Sequence, residues 1–322
     1  MKHKTKISLA ILTAVVLPLQ LMAVDFGVAG SISAWKLSDS KSASGVDDLR
    51  LKISESINDS VKANIVTNIK SGLSIKEGYL AFSKPLDTLG IGHDIQGLDL
   101  TAGQKLVSFG LDNTRYTEDR AFIGRSMAVS GLLGDGLVGK GLEVGYTLPI
   151  AMPIRLSAGY QQDLIMAATD GTLTEDRSKA TTVRAALKQE SYTVGVSSLM
   201  TSPTSGDKDT FIGVDGSYRH DLGMGTLKVE GEFVNYSSND KSVESRTGYY
   251  VYGGYDWKNS WTTGVVLDSL SKETTSMTNY SAVGLVVSRT LSDSAKLRLQ
   301  YLSNNNTTDK SKISAQVVFN LK

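Results

Sequence analysis

The chain has 322 residues, a formal net charge of +1 and no cysteine, and 40% of its residues are hydrophobic. A charge this close to zero argues against a nucleic-acid-binding protein, which would be strongly basic. The lack of cysteine excludes disulfides and thiolate metal sites, and no cluster of His, Asp and Glu has the spacing of a metal site. We therefore expect no cofactor, no metal ion and no nucleic-acid partner.

Residues 1–23 have the pattern of an export signal. A basic start from Lys2 to Lys6 precedes an apolar stretch from Ile7 to Leu21, and Ala23 is a small residue before a plausible cleavage point. The stretch is too short and interrupted for a membrane anchor, and no later run has the length of a membrane helix. We predict a signal peptide over residues 1–23. If the exported chain lies in a membrane, it must cross it as a barrel of strands.

From residue 24 onward, apolar and polar side chains alternate in segments of about ten residues, the length that a tilted strand needs to cross a bilayer. In the last segment Ile313 and Val317 fall on one face, and Lys312 and Gln316 fall on the other. Sixteen strands are predicted: 25–35, 47–57, 60–70, 76–84, 97–109, 140–149, 153–162, 179–189, 191–200, 209–219, 225–236, 246–257, 260–268, 280–290, 295–303 and 311–321. A soluble β-sandwich also has alternating strands, so the pattern alone leaves that alternative open.

The lengths of the connections favour the membrane barrel. Short connections at 58–59, 150–152, 190, 220–224, 258–259 and 291–294 alternate with long ones at 36–46, 110–139, 163–178, 201–208, 237–245, 269–279 and 304–310. Residues 71–75 and 85–96 depart from this order. Short periplasmic turns and long outer loops are typical of outer-membrane barrels. We predict an all-β fold over residues 24–322: a transmembrane antiparallel β-barrel of about sixteen strands, integral to a Gram-negative outer membrane.

Aromatic residues cluster near one predicted short turn, where they could form a belt at the membrane surface or a contact between subunits. They are Tyr249, Tyr250, Tyr252, Tyr255, Trp257 and Trp261.

The longest connection, residues 110–139, is the third outer loop of the predicted barrel. A loop of this length in a compact domain is usually functional, and we predict that it folds inward and narrows a water-filled pore. Its charged residues are Asp112, Arg115, Glu118, Asp119, Arg120 and Arg125. Opposed charges at a narrow point determine which ions pass. A solvated surface loop of mixed charge is the alternative.

The alternation also predicts that basic side chains outnumber acidic ones on the face that lines the lumen. The cations predicted to line its wall include Lys62, Lys105, Arg155, Arg184, Lys228 and Arg298. The acids on that face are Asp99, Glu143, Asp215, Glu230, Glu232 and Asp268. This balance predicts a mild preference for anions, although a register shift of one residue would reverse the contribution of a strand.

Three segments between Lys76 and Pro149 resemble a known family. The run Ala102-Gly-Gln-Lys-Leu-Val-Ser-Phe-Gly-Leu-Asp-Asn-Thr114, the strand from Lys76 to Ser83 and the segment from Gly136 to Pro149 are similar to parts of the phosphate-selective porin superfamily of Gram-negative outer membranes. The resemblance implies a sixteen-stranded barrel, usually a homotrimer, whose third outer loop folds inward.

These observations predict a porin for passive diffusion of small hydrophilic solutes and ions, with outer-membrane lipid and small anions as partners. One alternative is a structural sleeve, such as a sheath around an electron conduit, or an adhesin. A lipid hydrolase is the other alternative, but only His93 and His220 follow the signal peptide, both on the predicted periplasmic side, and there is no Gly-x-Ser-x-Gly motif. We therefore expect no enzymatic activity.

Overall fold

A computed structural model describes residues 24–37, 42–70, 74–134, 136–167, 173–176, 179–202, 208–240, 243–271, 279–305 and 310–321. The predicted signal peptide and the tips of most predicted long loops lie outside the described residues. The strands are β1 Asp25–Leu37, β2 Ser42–Asn58, β3 Val61–Asn68, β4 Ser74–Phe82, β5 Leu98–Leu106, β6 Leu137–Thr147, β7 Ile154–Ala167, β8 Leu173–Asp176, β9 Lys179–Lys188, β10 Tyr192–Ser202, β11 Asp209–Asp221, β12 Gly225–Ser238, β13 Arg246–Trp257, β14 Trp261–Leu270, β15 Tyr280–Ser292, β16 Ala295–Asn304 and β17 Ser311–Leu321.

The strands form one closed antiparallel barrel. Gly30 in β1 pairs with Leu49 in β2 on one side and with Phe319 in β17 on the other, so the first and last strands close the sheet. The short strand β8 pairs only with the last four residues of β7, and β9 pairs with the rest of that strand. The wall therefore has sixteen strands, which confirms the predicted barrel. The short strand β8 was not predicted, because it lies in the segment 163–178 that was predicted as a long loop.

The two faces of the wall have opposite character. On β15, Val283 and Leu285 are 51% and 56% exposed, whereas Ala282 and Val286 on the other face are buried. Apolar side chains continue around the outer face of the barrel, as is typical of strands whose outer side faces a membrane. The inner face carries charged and polar side chains together with a set of apolar ones.

Short and long connections alternate over most of the chain, and the short ones define one end of the barrel, called here the short-turn end. The first connection, predicted as the long loop 36–46, is only 38–41, because β1 extends to Leu37 and β2 begins at Ser42. The connection between β4 and β5 is the long exception at this end, and it contains one helical turn, α1, Pro85–Thr88. None of the helices in the described residues has the length and apolar character needed to span a membrane.

Candidate functional site: the β5–β6 loop and the inner wall

The connection between β5 and β6, called here the β5–β6 loop, covers residues 107–136, of which 135 is not described. It contains a 3-10 turn, Thr117–Asp119, and a two-turn helix, α2, Met127–Leu133. The helix begins at Ser126, whose side chain accepts a hydrogen bond from the amide of Val129 at 3.1 Å, as expected of an N-cap serine. It ends at Gly134, whose φ of +68° is a conformation that glycine adopts without strain.

The apolar side chains of the β5–β6 loop pack on the inner faces of strands β9–β15, called here the covered wall. Phe109, Phe122, Val129 and Leu133 are each at most 4% exposed. They share one cluster with apolar residues of the covered wall, which are Ala180, Leu199, Phe211, Val234, Tyr250, Tyr252, Val266, Leu270 and Val286. A side chain at Gly248 of β13 would meet the backbone of Ala128 at 2.7 Å, so the close approach of α2 requires glycine there.

Two carboxylates of the covered wall hold the backbone of the loop. Glu232 on β12 accepts hydrogen bonds from the amides of Leu111 and Asp112 at 3.0 and 2.9 Å. Asp268 on β14 accepts from the first two amides of α2 at 2.6 and 3.0 Å, where the helix dipole favours a negative charge. Gly110 adopts a φ of +62° beside Glu232, and any larger side chain there would collide with the carboxylate. Both acids therefore fix the loop in place.

Arg298 on β16 holds the loop at a third point. It is 1% exposed, and its guanidinium donates to the carbonyls of Thr117, Glu118 and Arg120 at 2.8, 3.1 and 2.6 Å. Sequence reasoning placed Arg298 on the inner wall, where it is found. Its donors are directed at the backbone of the loop.

The predicted loop cations are paired with acids. Asp112 is 2% exposed and accepts from Arg120 Nε at 3.0 Å, and Arg125 donates to its main-chain carbonyl at 2.6 Å. Arg115 donates to Glu230 of β12 at 2.7 Å. The structure therefore brings Asp112, Arg120 and Arg125 into one group and places Arg115 in a separate ion pair.

Glu118 joins the loop to β2. It forms ion pairs with Arg50, whose side chain is fully buried, and with Lys52 at 2.6 Å. Burial alone would raise the pKa of Glu118, but the positive charges of Arg50 and Lys52 outweigh that effect and hold the pKa below its ordinary value. Desolvation and the neighbouring charge of Glu118 raise the pKa of Asp119.

Most of the cations predicted to line the lumen wall are also matched by an acid on that wall. Lys105 pairs with Glu143 at 2.8 Å and Arg155 with Asp99 at 2.6 Å. Arg184 pairs with Asp215 and Lys228 with Asp256. Lys62 is exposed, and no carboxylate of the described residues lies within salt-bridge distance of it. The inner wall is therefore charged but close to neutral over most of its area.

Two cavities lie along the inner faces of strands β2–β7, called here the open wall. One, of about 450 Å³, lies between the loop and the wall, and its lining includes Lys52, Asn64, Tyr79, Lys105 and Tyr116. The other, of about 410 Å³, is nearer the short-turn end, and its lining includes Lys62, Asp99 and Arg155. Both cavities lie beside the open wall, and apolar residues of the covered wall pack against the loop.

Some residues of this arrangement were not identified from the sequence. Tyr250 and Tyr252 are each 1% exposed on the inner face, where Phe122 packs against both rings, so they form neither the membrane belt nor the subunit contact considered from the sequence. Lys76 and Glu77 both contribute to the inner side because a bulge at this point breaks the alternation between β3 and β4. The described residues contain no group of three or more His, Asp or Glu side chains that could hold a metal ion.

The same fold occurs in solved outer-membrane proteins. The in-vitro folded trimer form of OmpT, an outer membrane protein of Vibrio cholerae, has a TM-score of 0.65 at 12% identity, over 92% of this chain and 99% of that one. An anion-selective porin from Comamonas acidovorans has a TM-score of 0.64 at 14% identity, over 93% and 99%. OmpF of Salmonella typhi in complex with daunomycin has a TM-score of 0.65 at 8% identity, over 92% of this chain and 97% of that one. No protein-family model and no curated protein matches the chain.

At these identities the likeness shows the fold alone. The protein is a sixteen-stranded barrel with the fold of the porins. The likeness extends to porins in general and does not single out the phosphate-selective ones.

Proposed function

We propose that the protein is a porin through which small hydrophilic solutes and ions diffuse passively across the outer membrane. A barrel of about sixteen strands has a wide aqueous lumen unless something fills it. The contacts of the β5–β6 loop with Glu232, Arg298 and Arg50 join it to strands on different sides of this barrel, which supports a loop folded into the lumen. The single observation that carries the proposal is the position of both cavities along the open wall, beside a loop that covers the opposite one.

The central claim is therefore that solutes pass along the open wall. Lys52, Lys62 and Lys105 contribute to the cavities there, so the path offers positive charge to an anion. Lys52 and Lys105 each have a carboxylate partner, and the resulting preference for anions is mild. The resemblance of residues 76–149 to phosphate-selective porins makes phosphate a candidate solute.

The proposal includes no catalytic step and no cofactor. His93 and His220, the histidines of the described residues, lie at the short-turn end, whereas the loop enters from the opposite end. A structural sleeve would need a lumen clear of the loop, and the contacts of Glu232, Asp268 and Arg298 with the loop backbone argue against that alternative. A homotrimer is proposed from the sequence resemblance and from the trimer form of the similar Vibrio cholerae protein.

A planar-bilayer recording of the purified protein in a potassium chloride gradient tests the function. We expect stepwise ohmic conductance, a reversal potential whose sign shows mild anion preference, and three subunit steps per insertion. Replacing chloride with phosphate measures the phosphate permeability. A protein that inserts without conductance would contradict the porin function, and a reversal potential of the opposite sign would contradict the anion preference.

A further inference from the structure

The ring of Tyr116, in the β5–β6 loop, is approached by three cations from the open wall. The guanidinium carbon of Arg50 lies 3.9 Å from the ring centroid, and the ammonium nitrogens of Lys52 and Lys76 lie 5.1 and 5.4 Å from it. These distances are within the range of cation–π interactions. Tyr116 and Lys52 both line the larger cavity, so the group borders the proposed solute path.

Three like charges at this spacing repel one another, and among the described residues only two acids form ion pairs with them. Glu118 pairs with Arg50 and Lys52, and Asp48 pairs with Arg50 at 2.9 Å. Neither of these acids forms an ion pair with Lys76, and Glu77 and Asp119 add negative charge nearby without an ion pair to the three cations. The electron-rich face of an aromatic ring attracts cations without adding a formal charge, so it can hold the three cations together without neutralising them.

We propose that Tyr116 is a positioning residue that gathers Arg50, Lys52 and Lys76 beside the solute path and thereby sets the preference of the pore for anions. The inference deepens the proposed porin function and rests on it. The aromatic face carries this role, because the Tyr116 hydroxyl is buried and has no hydrogen-bond partner among the described residues. An anion in the larger cavity then meets positive charge that is held at one place beside the ring. Without the ring, the two lysines would separate and this positive charge would spread.

The test compares Tyr116→Phe with Tyr116→Leu by reversal potential in a salt gradient. Phenylalanine keeps the aromatic face and removes the hydroxyl, so we expect the wild-type ratio of anion to cation permeability. Leucine removes the face, and we expect the ratio to fall about twofold or more. Tyr79→Leu is the matched control, because it removes a ring of the same size from the wall of the same cavity and should leave the ratio unchanged.

Equal ratios in both Tyr116 variants, whether unchanged or equally reduced, would overturn the role of the aromatic face. A change in Tyr79→Leu as large as that in Tyr116→Leu would also overturn it. Heat-modifiable migration on gels reports folding, and Tyr116→Met replaces the leucine variant if that one does not fold. A wild-type protein without conductance would refute the porin function itself, whereas a conducting protein with an unaltered ratio in Tyr116→Leu would refute only this inference.

Discussion

Removal of the Arg298 guanidinium should release the β5–β6 loop from the wall. Its donors reach three loop carbonyls in a site that is 1% exposed. Hydrogen bonds from a charged donor contribute about 1.5–3 kcal/mol each, and they are not additive within one group. We therefore assign a loss of about 3 kcal/mol in loop-holding free energy to Arg298→Met, which keeps an unbranched apolar stem and removes the guanidinium. A change of that size raises the population of the open loop by about two orders of magnitude.

Limited trypsin digestion in detergent measures this opening, because Arg115, Arg120 and Arg125 are cleavage sites within the loop. Their side chains are 20%, 9% and 5% exposed, so they should resist cleavage while the loop is held. Cleavage follows the population of the open form when opening and closing are fast. Mass spectrometry of the fragments separates these cuts from cuts in the outer loops.

The matched control is Arg155→Met. Arg155 on β7 is 44% exposed and pairs with Asp99 on β5, two strands away on the open wall, so its loss should leave cleavage of the loop unchanged. Cleavage of Arg298→Met at the wild-type rate would refute the view that Arg298 holds the loop. Rapid cleavage of the wild type at all three loop arginines would refute the packed loop itself.

Three further predictions concern other parts of the structure. Phe109→Ala empties a fully buried site and should cost about 3 kcal/mol or more in unfolding free energy, measured by urea titration, with a smaller loss for Phe109→Leu. Lys62→Glu should lower the anion preference in reversal-potential measurements with no change in thermal stability, because Lys62 is exposed beside the smaller cavity. Since the folded pKa of Glu118 is lowered, its ion pairs stabilise the protein above the ordinary pKa of a glutamate and are lost as pH falls through the folded value. The difference in melting temperature between wild type and Glu118→Gln should therefore shrink on acidification, and a difference that grows in acid would contradict this sign.

The barrel was predictable because its signals are local. Alternation within each segment identifies the two faces of a strand, and in β17 it correctly separated Ile313 and Val317 from Ser314 and Gln316. Alternation gives the wrong face where the period of two is broken. Lys76 is the extra residue of a bulge between β3 and β4, so both it and its neighbour Glu77 contribute to the inner side against the alternation.

The contacts of the site were less predictable than its residues. Glu232, Asp268 and Arg298 were placed on the inner face from the sequence, but their partners are backbone groups of a loop more than 100 residues away. Backbone amides and carbonyls are the same in every residue, so no side-chain pattern shows which ones a charge will bind. The burial of Tyr250 and Tyr252 was missed for a related reason, since tyrosine suits both a membrane surface and an apolar contact with a loop.

Cysteine accessibility tests the proposed solute path most directly, because the chain has no cysteine of its own. Asn64→Cys places a thiol in the larger cavity of the open wall, and Ser197→Cys places one on the covered wall, where the native side chain is 1% exposed beneath Gly110. A charged methanethiosulfonate reagent is added to open channels in a bilayer. The path along the open wall predicts stepwise loss of current for Asn64→Cys and unchanged current for Ser197→Cys. Rapid modification of Ser197→Cys, or none of Asn64→Cys, would contradict it.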